Sequence, residues 1–160
     1  MTTFGAAAIC GGFGLASAQF GTAERPVLVV PISGQVDDGM AHLVARSVQE
    51  ANAERASALV LEINTPGGLV SSAFEIRDAL FLAKVPTVAF VSERAYSAGA
   101  LIALSARSIV MAPGASIGAA EPIPNTPKYV AALRSEFAST AARNHRDVTL
   151  AAAMVDKSVE

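Results

Sequence analysis

From Pro26 onward the chain alternates short β-branched and aliphatic runs with stretches of helical periodicity, and this alternation restricts the fold more than any other feature. The strand candidates are 27–32, 58–63, 87–91 and 108–112. Each is a short, continuous apolar run, as expected of parallel strands covered on both faces. Between the first two, a helix capped by Asp37 or Asp38 turns Met40, Leu43, Val44, Val48 and Ala51 to one side. Arg46, Gln49, Glu50 and Glu54 fall on the other side. A second helix over 70–83 is expected to place Phe74, Leu80 and Phe81 inward, with Glu75, Arg77 and Asp78 outward. A third, over 98–106, is almost wholly apolar and must be buried; a last one begins near Pro127 and runs past Ala142. Repeated βα units of this kind predict an α/β fold with a mainly parallel sheet and flanking helices.

Composition narrows the function. A chain of 160 residues that is 52% hydrophobic can bury one core without disulfides or metals. A net charge of -2 and the lack of a Lys/Arg run give no basic field, so nucleic acid is not an expected partner. Cys10 is the single cysteine and His42 and His145 are the two histidines, so no metal site is expected, and no cofactor. The first twenty residues are uncharged, small and apolar and contain Ala16-Ser17-Ala18, the pattern cut by signal peptidase. They read as an export signal or, if uncleaved, a membrane anchor. Cys10 follows Ile9, where a lipid-attachment cysteine wants a small residue, so it reads as an ordinary apolar position.

In open α/β sheets ligands sit beyond the carboxyl ends of the strands, so the residues after each run carry the chemical information. The second run ends in Asn64-Thr65-Pro66-Gly67-Gly68, in which proline fixes a turn and two glycines allow positive φ and close approach of another segment. The third is followed by Ser92-Glu93-Arg94-Ala95-Tyr96-Ser97-Ala98-Gly99-Ala100, placing a serine at the first turn of a buried helix of small residues. There a hydroxyl lies near the positive end of a helix dipole, and the next amide is free to bind an anion. Ser97 can also be read as a plain N-cap. It does not stand in a Gly-x-Ser-x-Gly elbow, because Ala95 occupies the first glycine position.

Taken in order with Met111-Ala112-Pro113-Gly114-Ala115-Ser116-Ile117-Gly118-Ala119, these motifs resemble the ClpP/crotonase superfamily. Within it, the chain resembles the NfeD-type membrane-bound serine proteases encoded beside stomatins, over roughly residues 26 to 150. The resemblance implies a ClpP/crotonase-like fold and a serine nucleophile at Ser97.

A serine needs a neighbour to take its proton. In the ClpP proteolytic subunit a histidine follows the nucleophile, but the stretch Gly118-Ala119-Ala120-Glu121-Pro122 contains none. His42 and His145 read as surface residues, which disfavours a Ser-His-Asp triad. Of the three lysines, Lys84 ends a helix where a cation suits the dipole, and Lys157 lies beyond the last recognisable element. Thr126-Pro127-Lys128 reads as N-cap, N1 and N2 of the last helix, a place where local electrostatics prefer an acid. An exposed lysine tolerated at a helix start has the same local sequence. The resemblance favours Lys128 as base, since NfeD-type proteases carry their dyad lysine in a Pro-Lys pair at this helix. A lysine acts as base only when neutral, and burial beside Tyr129, Val130 and Leu133 is expected to favour that form.

The implied mechanism has Lys128 take the Ser97 proton, with the amides of Gly68 and Ala98 holding the oxyanion and Gly67 shaping the turn. Ser116 and Thr126 are both candidates to orient the lysine. The implied substrate is a hydrophobic segment of a membrane-associated protein, a stomatin-like protein in the first instance, and the implied assembly is a homo-oligomer. The catalytic domain is expected to run from residue 21 to the end at Glu160, truncated before a closing segment. Two other readings stay open: a crotonase-type acyl-CoA enzyme using Glu121, and a non-catalytic scaffold that binds a membrane partner.

Overall fold

In the computed structural model, residues 25–156 are described. The export signal or anchor over the first twenty residues, Cys10, Lys157 and the expected truncation point lie outside the described residues. Five strands form one sheet: β1 (Val27–Val36), β2 (Ala58–Gly68), β3 (Thr87–Tyr96), β4 (Ser108–Met111) and β5 (Ser116–Gly118). The order is β1-β2-β3-β4, with β5 also paired to β3, and each described pairing is parallel. Among the described residues there are also five helices: α1 (Asp38–Glu54), α2 (Val70–Phe81), α3 (Ala98–Ser105), α4 (Pro127–Arg143) and α5 (Val148–Ala153). The mainly parallel sheet of βα units is the architecture the sequence predicts.

Asp37 caps α1, its carboxylate accepting the Met40 amide at 2.9 Å, and Val44, Val48 and Ala51 are buried. α1 packs on β1, α3 on β2 and β3, and α2 bridges α1 and α3. All eight residues of α3 are buried, as its apolar sequence requires. The carbonyls at its C-terminal end are satisfied from the α4–α5 corner. Asn144 donates to Leu104 O at 2.9 Å, and Arg146 donates to Leu104 O at 2.7 Å and Ala106 O at 2.8 Å. Burial pushes the Arg146 guanidinium below its ordinary pKa.

Three expectations need correction. The strands are not all covered on both faces. Val30, Ile32, Leu59, Leu61, Ile63, Ala89 and Val91 are buried, but Val29 is 58% and Val110 51% exposed, because β1 and β4 are the sheet edges. The first three strands also run past their apolar ends into the segments read as loops. Register shifts between Ser33 and Gln35 and between Ile63 and Thr65 absorb the irregular residues, so pairing resumes beyond them. Third, Arg77 does not point outward. Its side chain is 15% exposed, bonded to Glu136 of α4 at 2.5 Å and lying 4.8 Å over the Phe74 ring. Burial disfavours its charge, but hydrogen bonds and attraction from Asp78 and Glu136 prevail and raise its pKa. Phe74 and Phe81, read as inward, are half-buried on the same side of α2.

Candidate active site

The carboxyl ends of β2 and β3 meet at the expected pair of turns. Ser97 has φ 53° and ψ -117°, a left-handed conformation that is unusual for a side chain larger than hydrogen. Its amide donates to Gly118 O at 2.8 Å, which ties the Ser97 turn to the end of β5. Although Ser97 stands at the N-cap position of α3, its side chain makes no capping hydrogen bond. The plain N-cap role is therefore absent. The first bonds into the helix run from Ala100 N and Leu101 N to Ser97 O, which leaves the Ala98 and Gly99 amides at the orphan positions of a helix start.

Gly67 faces this turn directly. It has φ +106°, and a Cβ there would stand 2.6 Å from Ser97 Cβ, 3.0 Å from Tyr96 O and 3.2 Å from Ser97 Oγ. Only glycine fits. Gly68 is excluded from substitution on its other side, where a Cβ would lie 2.2 Å from Val36 O. The Gly67 amide is used internally, donating to Thr65 Oγ1 at 3.0 Å, and the Leu69 amide donates to Val36 O at 2.8 Å.

Lys128 occupies the predicted N2 position. Thr126 is the N-cap of α4, its hydroxyl accepting the Tyr129 amide at 3.4 Å, and Pro127 opens the helix. The expected burial of Lys128 is not found: the residue is exposed, as are Ile123 and Pro124 before the helix. No hydrogen bond among the described residues joins Lys128 to Ser97. Neither candidate orienting hydroxyl reaches it, since Ser116 Oγ donates to Tyr96 OH at 2.8 Å and Thr126 caps its own helix. Glu121 is engaged by Asn125. His42 and His145 are both exposed, as predicted.

An apolar groove of about 460 Å³ lies between the start of α2 and the start of α4, lined by Val70, Phe74, Ile123, Tyr129 and Leu133 among others. Ser97, Gly67, Gly68 and Lys128 are not among its lining residues. Ile123 is 100% and Tyr129 56% exposed at its rim. Sequence reasoning missed this groove, the Tyr96–Ser116 bond and the hydrogen bonds of Thr65. Thr65 carried a signal in being a lone β-branched polar residue within a buried strand end.

Comparisons with known proteins follow the same lines. Residues 26–160 match the family model described as NfeD1b, N-terminal domain. The membrane protein NfeD1b of Bacillus subtilis is 38% identical over 142 residues, covering 86% of this chain and 32% of that protein. This chain thus spans about a third of that curated relative's length. A serine-to-alanine mutant of 1510-N, a membrane-bound stomatin-specific protease of Pyrococcus horikoshii, superposes with a TM-score of 0.81 at 29% identity, over 86% of this chain and 72% of that one. A lysine-to-alanine mutant of that protease, in complex with a substrate peptide, gives 0.79 at 29% identity over 86% and 68%. ClpP1 from Listeria monocytogenes shares the fold at 18% identity, with a TM-score of 0.65 over 82% of this chain and 80% of that one. The fold is therefore ClpP/crotonase-like.

Proposed function

The chain belongs to the NfeD1b family, and from that membership we propose that it is a serine endopeptidase with Ser97 as nucleophile and Lys128 as general base. The observation that carries this reading is the backbone of Ser97: a left-handed serine at the start of a buried helix, with its hydroxyl uncommitted to capping and Gly67 pressed against it. Strain of this kind persists only where the surroundings impose it, and a side chain so held is presented rather than packed. Support for Lys128 comes from its N2 position, fixed by the Thr126 cap, and from its neighbour Tyr129, which lines the apolar groove.

In the proposed reaction Lys128 takes the Ser97 proton as Oγ attacks the scissile carbonyl. The amides of Gly68 and Ala98 receive the oxyanion, while Gly67, its own amide held by Thr65, keeps the turn clear of Ser97. Protonated Lys128 then supplies the leaving amine with its proton, and water releases the acyl group. The likeness to a stomatin-specific protease and the apolar lining of the groove support a hydrophobic segment of a membrane-associated, stomatin-like protein as substrate. The open edge strands of the sheet suit a homo-oligomer, and the family's membrane proteins suit an extracytoplasmic, membrane-associated setting for the full-length protein. Among the described residues no helix is long and apolar enough to cross a membrane.

The test is labelling with a fluorophosphonate probe together with cleavage of a hydrophobic peptide. The native chain is expected to react with the probe and to cleave the peptide, while Ser97→Ala abolishes both. Labelling that survives Ser97→Ala, or cleavage without labelling, would overturn the assignment.

A further inference from the structure

We infer that Thr65 is a positioning residue that sets the Gly67-Gly68 turn against Ser97; the inference rests on the proposed roles of Ser97 and Gly68. Ser33 pairs with Asn64 and Gln35 with Gly67, so β2 uses one residue more than β1 between these pairs. The surplus falls at Thr65-Pro66, and Pro66 has no amide to give the ladder. The fully buried Thr65 hydroxyl fills the gap. It donates to Gly34 O at 2.5 Å and accepts from Gly67 N at 3.0 Å, so one side chain links the end of β1 to the glycine turn.

The methyl of Thr65 performs a different task. A Cβ at Gly99 would meet Thr65 Cγ2 at 2.5 Å, whereas the next nearest atoms, Ala95 Cβ and Thr65 O, lie at 3.8 Å. The methyl therefore abuts the first turn of α3, two residues beyond Ser97. Through the hydroxyl and the methyl, Thr65 touches both backbone segments between which the oxyanion is to be held. Serine retains the first contact alone and valine the second alone, so the two functions of the side chain are separable.

The experiment uses the full-length chain, a fluorogenic hydrophobic peptide, a peptide boronate that forms a tetrahedral adduct with a serine, and the same peptide without an electrophile. Thr65→Val is expected to lower kcat about 10- to 100-fold with KM changed by less than about twofold, because small misplacements at a reacting centre have effects of this size. Boronate affinity falls with kcat, while affinity for the plain peptide does not. Thr65→Ser keeps kcat within about threefold of the native value, since the hydroxyl contacts persist. Gly99→Ala lowers kcat, and adding Thr65→Ser to it restores the rate by removing the clashing methyl; this pair decides the matter if Thr65→Val does not fold.

Native kcat in Thr65→Val overturns the inference, as does equal loss of boronate and plain-peptide affinity, or no rescue of Gly99→Ala by Thr65→Ser. If Ser97→Ala still cleaves, the nucleophile assignment fails and takes the inference with it. If Ser97→Ala is inert while Thr65→Val is fully active, the Thr65 role alone falls.

Discussion

Ser97 lies where backbone segments press together too closely to admit a methyl group, whereas Lys128 stands at an exposed helix start fixed by one threonine cap. The first region is built from long-range contacts among β1, β2, β3 and β5. The second is built from residues adjacent in sequence. A nucleophile needs a defined backbone, because its attack angle and its anion-binding amides move with the main chain. A lysine base carries its reactive nitrogen at the end of a flexible stem and can tolerate a looser origin. The contrast predicts that damage near Ser97 is felt in folding and rate together, while damage near Lys128 is felt in rate with the fold intact.

The sharpest test is Lys128→Ala. Cleavage is expected to fall by about 10²- to 10⁴-fold, the usual span for losing a general base. Thermal stability should change by no more than about 0.5 kcal/mol, as for other exposed positions. A clear loss of stability would break the comparison by showing that the α4 start is packed in solution. Next comes Gly67→Ala, expected to destabilise the fold by about 2–4 kcal/mol in chemical denaturation, since positive φ and a backbone clash act together. Native stability in that variant would mean that the turn yields easily and that the two regions differ less than described. The smallest effect is expected from Thr126→Ala, a loss of about 1 kcal/mol for a missing N-cap, measured by denaturation. A few-fold fall in kcat beside it would sharpen the view that capping alone places Lys128.

The legible and illegible parts of the sequence divide along the same boundary. The core of each strand and helix was readable because 27–32, 58–63 and 87–91 are continuous apolar runs and α1 and α3 carry plain periodicity or uniform burial. The strand ends were not, because pairing past Pro66 depends on a side-chain hydroxyl standing in for ladder bonds. β5 has three residues, too few for a pattern. α5 carries one signal in the sequence, since Asp147 caps it by accepting the Thr149 and Leu150 amides, but six residues are too few to show a helical period. At the site, a serine before a small-residue helix pointed to Ser97, and Thr-Pro-Lys pointed to the N2 position of Lys128. The exposure of Lys128 was not legible, because a Thr-Pro-Lys helix start reads the same whether the lysine is covered by a distant segment or open to solvent.

The cap on the far end of α3 has a consequence for the order in which the molecule is completed. Asn144 and Arg146 reach back some forty residues to seal the carbonyls of Leu104 and Ala106. Residues 87–105 are synthesised before either of these side chains exists. The carbonyls at the end of α3 therefore receive these donors only after the α4–α5 corner has formed, so the helix that opens after Ser97 takes its closing hydrogen bonds from residues made some forty positions later.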